Sequence, residues 1–346
     1  MINIISNLYK KYRKIVEKRN YCVFIKSENR INNSQVSKKW NKLGFTTQEY
    51  YLYELNKNNY HEYLSDFTRW ELRKLNGSYG IILDNQIVFN DLLANICKVP
   101  KILLYKNNGK YYNSQKEEIR EDEIINQLTN SFIIKPCFGG GGKGVVEARC
   151  YNRQCFSIDL EEISIVSVLQ NYNYCIVEDK IEQSSFYSKF YESSINTIRI
   201  VSINDCGSIK LTNAILRIGT KRSKNVDNAS AGGIFSNIDI NSGELSSALS
   251  YFTTTKYDNH PDTKQRIKGE IIPNWDYIKK KVVSLHNKID YLLFVAWDIA
   301  ILPDGNICVI EGNNSTGLAF LQCFGSLKDS ELGNFLKKNG INTSYY

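Results

Sequence analysis

The feature that most constrains this chain lies near its end, where two β-type runs, Phe294 to Ile301 and Ile307 to Glu311, are joined through Pro303-Asp304-Gly305-Asn306. Asp-Gly between apolar runs is among the strongest short hairpin signals. With Asp304 and Gly305 as the central pair, Asp298 and Glu311 stand directly opposed, their side-chain carbons ~5 Å apart. Like charges in that position repel, and the flanking residues are too apolar for a solvent face, so something positive is expected between them. Strand alternation returns Asn313 to the same face as Glu311. Asp298, Glu311 and Asn313 then offer an all-oxygen donor set suited to Mg2+, with ligand oxygens and water completing its shell.

Upstream, Ile133-Ile134-Lys135-Pro136 leads into Gly139, Gly140, Gly141, Gly142, Lys143 and Gly144, then out through Val145-Val146-Glu147. Such a loop exposes backbone N–H groups that can wrap phosphate oxygens. A P-loop fails here, because Cys137 and Gly144 stand where glycine and Ser/Thr are needed. The dinucleotide spacing G-x-G-x-x-G fits Gly139, Gly141 and Gly144, but a β-type run follows where a helix should begin. A glycine lid between two strands, as in the G-x-G-x-x-G-x-V loop over ATP, fits through Val146, although the H-R-D and D-F-G elements of a protein kinase are missing. Lys135 on the entering strand is a candidate phosphate contact. Between lid and hairpin, Arg199, Arg217 and the turn from Asn228 to Gly232-Gly233 supply fixed donor forks and a close backbone approach. Together with a lid and a metal site they read as a phosphate clamp.

Composition narrows the class. The 346 residues, 42% hydrophobic and 23% charged with 5 Pro, are neither collagen-like nor disordered, and no apolar run approaches the ~20 residues of a membrane-spanning helix. Met1 to Leu8 is a poor signal peptide, so a cytoplasmic location is expected. The nine cysteines include no C-x-x-C, and no histidine pairs with them at zinc spacing; they are expected to be reduced thiols, mostly buried. The net charge of +8 is concentrated in residues 1–43, which hold eleven Lys/Arg against Glu17 and Glu28. Ile5, Leu8, Tyr12, Ile15 and Val16 follow helical spacing there, with Lys10, Lys11, Lys14 and Lys18 between them. A basic amphipathic helix of this kind suits an anionic membrane surface or a polyanion, or simply packs one face on the body.

Four segments are expected: a helical, basic region (1–76), a mixed segment carrying the lid (77–178), a segment carrying the metal site (179–330) and a tail (331–346). The second half is rich in short strands with hairpin-type connections, which points to an α+β fold rather than a doubly wound parallel sheet. Ile81 to Leu83 reads as a short strand, Ile87 to Ile96 as a helix, and Trp275 to Ile289 as another.

In this order the residues resemble the ATP-grasp superfamily, and more narrowly its sugar-transfer-associated family of cell-surface polysaccharide gene clusters. The resemblance rests on Lys135-Pro136 with the lid, Ser194-Ile-Asn196-Thr-Ile-Arg199, Arg217-Ile-Gly219, Val226-Asp227-Asn228 through Gly232-Gly233, His260-Pro261, Ile272-Pro273-x-Trp275, Ala296-Trp297-Asp298 and Ile310-Glu311-Gly312-Asn313. It covers about residues 60 to 330. It implies two α+β subdomains clasping ATP, with Lys135 on phosphate, the lid from Gly139 to Gly144 closing over it, Glu178, Asp179, Lys180 and Ile181 holding adenine by backbone, and Glu182 near the ribose. Arg199, Arg217 and Asn228 would serve catalysis, and Asp298, Glu311 and Asn313 would bind Mg2+.

One departure stands out: relatives typically carry Asp-Lys where this chain has Asp84-Asn85, so an early phosphate-binding lysine is missing, and either Lys98 or Lys101 substitutes or ATP binding is weaker. The activity implied is a carboxylate–amine ligase that forms an acyl phosphate from ATP, joining an amine or amino acid to a sugar acid in capsule or O-antigen assembly. No nucleic-acid partner is expected. Phosphoryl transfer to a sugar or lipid-linked glycan is the rival within enzymes, and a polyanion-binding scaffold the rival outside them. His260 is expected to pack the Pro261 turn.

Overall fold

The computed structural model describes residues 2–27, 35–157, 159–251, 253 and 255–343. Glu28 and Arg30 of the basic segment, and the side chains of Ile5, Lys10 and Lys26, lie outside the described residues. The chain divides into two compact units, Met1–Lys74 with Ser315–Tyr346, and Leu75–Asn314. Residues 315–346 group with the N-terminal region.

In the first unit, α1 (Ile2–Ser27) is followed by short helices at Gln35–Asn41, Thr47–Leu52 and Asp66–Leu72. Tyr21 and Ile25 of α1 are buried against Phe67, and the Tyr21 hydroxyl donates to Asp66 at 3.1 Å, which also holds Arg69 at 2.6 Å. The late segment joins because the Gln322 amide satisfies both backbone groups of Leu64, at 2.7 and 2.8 Å. A helix at Glu331–Lys338 buries Leu332, Phe335 and Leu336, so the expected tail is structured.

The second unit contains two antiparallel sheets. The first uses β1 (Ile102–Asn107), β2 (Lys110–Asn113), β3 (Glu118–Ile119), β4 (Ser131–Pro136), β5 (Val146–Tyr151), β6 (Gln154–Ser157), β7 (Glu162–Ile163) and β8 (Tyr174–Asp179), in the order β3-β2-β1-β8-β4-β5-β6-β7. The second uses β9 (Ile198–Asp205), β10 (Ser208–Ile218), β11 (Ile234–Ile238), β12 (Ala248–Ser250), β13 (Lys256–Tyr257), β14 (Phe294–Ile301) and β15 (Ile307–Asn313), in the order β13-β12-β11-β10-β9-β14-β15. This is the expected α+β class.

Period-2 alternation assigns the faces of the second sheet. Val295, Trp297, Ile299 and Ile301 of β14 join Ile278, Val282 and Leu285 of α3 (Trp275–Asn287) in one core, which leaves Asp298 on the other face. Beneath α3, the Trp297 indole donates to Ser202 Oγ at 2.8 Å and the Ser202 hydroxyl donates to His286 Nδ1 at 2.7 Å, while His286 Nε2–H donates to the Leu292 carbonyl at 2.8 Å. The buried polar atoms are thereby satisfied.

Two local expectations differ. Ile81–Asp84 is a helical turn and not a strand: Asn85 ends it by capping α2 (Gln86–Leu93), accepting from the N–H groups of Ile87 and Val88. A Cβ on Gly312 would come within 2.7 Å of Leu83 and 3.0 Å of Phe89, so the glycine lets this helical corner pack directly on β15. Cys150 and Cys155, directly opposed on β5 and β6, form a disulfide, against the expectation of nine reduced thiols. Cross-strand partners stand close enough to bond, which spacing along the chain does not reveal. Among the described residues no helix is long and apolar enough to cross a membrane.

Candidate active site

Asp298 and Glu311 are paired across β14 and β15, but not by the expected route. The turn is a three-residue loop, Pro303-Asp304-Gly305: Leu302 N–H donates to Asn306 O and Gly305 N–H to Leu302 O, both at 2.9 Å, with Gly305 at φ 80°. Strand pairs next to the turn are Ile301 with Ile307, Ala300 with Cys308 and Ile299 with Val309. A bulge at Ile310 then inserts one residue, and the two offsets cancel to restore Asp298 opposite Glu311.

The positive charge between the acids is supplied by arginine. Arg199 faces Asp298 from β9, donating from Nε at 2.7 Å and from Nη2 at 2.5 Å, and it approaches Glu311 at 3.8 Å. Arg217 donates to Asp298 at 2.7 Å and spans to Asp227 at 2.9 Å. Burial works to raise the Asp298 carboxyl, but the two guanidiniums overcome it and hold the group well below its ordinary range. Burial and then the Asp298 charge push Glu311 up to about 7.

The lid runs from β4 to β5, with Gly139, Gly141, Gly142 and Gly144 at φ 119°, 73°, 71° and 72°. These left-handed values are open to glycine and strained for other residues. Two side chains hold the lid's backbone: the Asn228 amide donates to Gly141 O, and the Tyr172 hydroxyl donates to Gly144 O at 2.7 Å. Asn228 is itself fixed by capping the turn at Ser230 and by accepting the Gly233 N–H at 3.1 Å.

Lid, β4, β5, β8 and the Asp298 end of the second sheet line one cleft. Of the expected residues it brings together Lys135, Gly139, Gly140, Gly142, Lys143, Glu178, Asp179, Lys180, Ile181, Arg217, Asn228, Asp298 and Glu311. Gly141, Gly144, Glu182, Arg199 and Asn313 do not line it; Arg199 lies behind Asp298, and the Asn313 amide donates to Ala296 O at 3.1 Å. Lys135 pairs with Glu178 at 2.9 Å and Lys180 with Glu147 at 2.6 Å. Burial raises Glu178, and Lys135 partly reverses this. The N–H groups of Asp179 and Lys180 are committed to Lys101 O and Ser131 O, at 2.8 and 3.1 Å.

Neither proposed substitute for the missing lysine lines the cleft: Lys98 borders a different pocket beside α3, and Lys101 is exposed. His260 is fully buried, its Nδ1 accepting from Asp262 and Thr263 N–H and its Nε2–H donating to Gly219 O at 2.8 Å. Burial lowers its pKa, so it is a neutral strut under the Arg217 strand. Sequence reasoning missed Glu147, and it gave no site role to Asp227, which accepts the Thr197 N–H at 3.0 Å and its hydroxyl at 2.5 Å. Glu147 carried a usable signal, an acid within an apolar strand leaving the lid, the same argument that singled out Asp298. Among the described residues no group of three or more His, Cys, Asp or Glu could hold a metal ion.

Two antiparallel α+β layers around a cleft, one bearing a glycine lid and the other an acid–arginine row, define an ATP-grasp fold. The chain belongs to the sugar-transfer associated ATP-grasp family, which it matches over residues 68–330. No curated protein matches the sequence. Among solved structures it is similar to an L-amino acid ligase from Bacillus licheniformis (12% identity, 73% of this chain and 43% of that one, TM-score 0.38). It is also similar to a D-alanine–D-alanine ligase from Bacillus anthracis (15%, 76% and 64%, TM-score 0.37) and an N5-carboxyaminoimidazole synthetase from Staphylococcus aureus complexed with ADP (13%, 70% and 48%, TM-score 0.40). The matched region spans less than two thirds of each of these relatives.

Proposed function

We propose that the protein is an ATP- and Mg2+-dependent carboxylate–amine ligase that joins an amine or amino acid to a sugar acid in cell-surface polysaccharide assembly. The observation that carries this reading is the acid–arginine row facing a glycine lid across one cleft, in a chain of the sugar-transfer associated family. In the reaction, a carboxylate oxygen of the sugar acid attacks the γ-phosphorus of ATP, the bond to the β-phosphate oxygen breaks and ADP leaves. The amine nitrogen then attacks the acyl carbon, phosphate departs with the C–O bond electrons, and the nitrogen loses a proton. Neither step requires a covalent nucleophile from the protein; positioning and charge neutralisation carry the catalysis.

In this reading the lid N–H groups, Lys135 and Lys143 bind the phosphates, and the segment Glu178–Ile181 holds the adenine. Arg217 neutralises charge on the transferring group, with Arg199 fixing Asp298 behind it and Asn228 keeping the lid in register. The cleft lining carries six carboxylates against four cationic side chains, so a polyphosphate needs further positive charge to settle there. Oxygen donors from Glu311, Asn313 and Asp298 have the chemistry Mg2+ takes, and when bound it would supply that charge. A contact of residues 1–43 with an anionic membrane surface completes the reading and would bring the enzyme to lipid-linked sugars.

Hydroxylamine trapping tests the acyl phosphate. With Mg-ATP, a uronic acid and hydroxylamine in place of the amine, a hydroxamate is expected, and it should disappear in Arg217→Met. ADP formation with a stable phosphorylated sugar and no hydroxamate would replace ligation with phosphoryl transfer.

A further inference from the structure

Helix α1 carries apolar residues on two sides. Tyr21 and Ile25 face inward and are buried. At ~100° per residue, Leu8, Tyr9, Tyr12, Ile15, Val16 and Val23 fall on the opposite side, within an arc of about 120°. Leu8, Tyr9, Tyr12, Ile15 and Val23 are each between 59% and 64% exposed. This stripe runs along much of the helix and is not the face by which the helix is anchored, which sets it apart from scattered surface residues. The same helix holds seven Lys/Arg against one acid, Glu17, and Glu17 is engaged by Lys74 at 3.2 Å. Lys11 borders one edge of the stripe, Arg13 borders the other, and Arg19 sits within it, while Lys18 lies between Lys11 and the anchored face. Burial lowers the Lys18 pKa, and Lys14 one turn away lowers it further.

We propose that this stripe is a docking surface for an anionic lipid bilayer, with α1 lying in the plane of the headgroups. Charge decides among the occupants an apolar stripe could take. A second copy of the same face would bring two sets of basic residues together, and like charges repel. A nucleic acid would answer the cations but leave Leu8, Ile15 and Val23 against water and phosphate. Anionic headgroups answer both, since the basic side chains snorkel to phosphate while the apolar residues enter the acyl boundary. The inference rests on the membrane contact put forward with the proposed function and deepens it; its test is read without turnover, so its failure leaves the ligase chemistry standing.

The test is flotation of the full-length protein with vesicles of phosphatidylcholine alone and of phosphatidylcholine mixed with phosphatidylglycerol, at low and high salt. The wild type is expected to float with the mixed vesicles only, and less at high salt. The triple variant Leu8→Glu, Tyr12→Glu, Ile15→Glu should lose binding by about tenfold or more while keeping its thermal midpoint, since all three side chains are exposed. Absence of wild-type binding to anionic vesicles, or equal binding by the triple variant, would overturn the proposal. So would light scattering that reveals a dimer abolished by the triple variant in a protein that ignores lipid.

Discussion

The cleft and helix α1 are both rich in lysine and arginine, but they treat charge in opposite ways. In the cleft Lys135 lies against Glu178, Lys180 against Glu147 and Arg217 against Asp227 and Asp298, with Arg199 holding Asp298 from behind. In α1 seven basic residues have one acid among them. Buried charges are tolerated only when paired, because desolvation outweighs any benefit of a lone ion; exposed charges need no partner. The difference separates two kinds of recognition. The cleft keeps its cations in fixed geometry for a small ligand, and the helix carries an excess of basic over acidic residues for a surface that brings its own anions.

The sharpest way to break the comparison is Asp298→Ala. It would leave the buried Arg199 and the half-buried Arg217 without their shared partner, at a cost of about 3–5 kcal/mol, read as a large drop in urea midpoint. A loss under about 1 kcal/mol would mean that the cleft charges are as loosely held as those of α1. Proton linkage sharpens the same point. The Glu311 carboxyl stands above its unfolded value, so the folded state holds its proton more tightly. Its contribution to stability is fully present below about 4.5 and fades as pH rises towards about 7. Asp298 has the opposite sign, contributing at neutral pH and losing that contribution only in strong acid. Without Mg2+, Glu311→Gln is expected to flatten the fall in unfolding free energy between about pH 4.5 and 7; an unchanged slope would contradict the assignment.

Smaller effects follow away from the buried row. Asn228→Ala removes the amide that holds Gly141 O and caps the Ser230 turn, which should cost about 1 kcal/mol and speed proteolysis within the lid. Equal lid protection in mutant and wild type would remove Asn228 from this role. At the small end, Lys11→Gln with Lys18→Gln should change stability by no more than about 0.5 kcal/mol yet weaken vesicle binding. A marked loss of stability would mean that these charges are structurally engaged, as in the cleft.

How much of this was legible depended on the range of the interactions involved. Hairpin alternation placed Asp298 opposite Glu311 because the signal is local, although the pairing is reached through a longer turn and a compensating bulge at Ile310. The lid and the arginines were visible as residue types at set spacings. That Arg199 and Arg217 converge on one carboxylate was not, since it depends on β9 and β10 lying next to β14 in space. The same range limit hid the Cys150–Cys155 pair and the displacement of Lys98 from the cleft. Ile81–Leu83 failed for another reason: three apolar residues carry no usable period, and the Asn85 cap decided for helix.

The most direct test of the central claim is ADP and phosphate release with Mg-ATP across a panel of uronic acids and amino acids, in wild type and Glu311→Ala. The account predicts turnover that requires both an acid and an amine and is abolished by the substitution. Turnover with no amine present, or undiminished in Glu311→Ala, would contradict it.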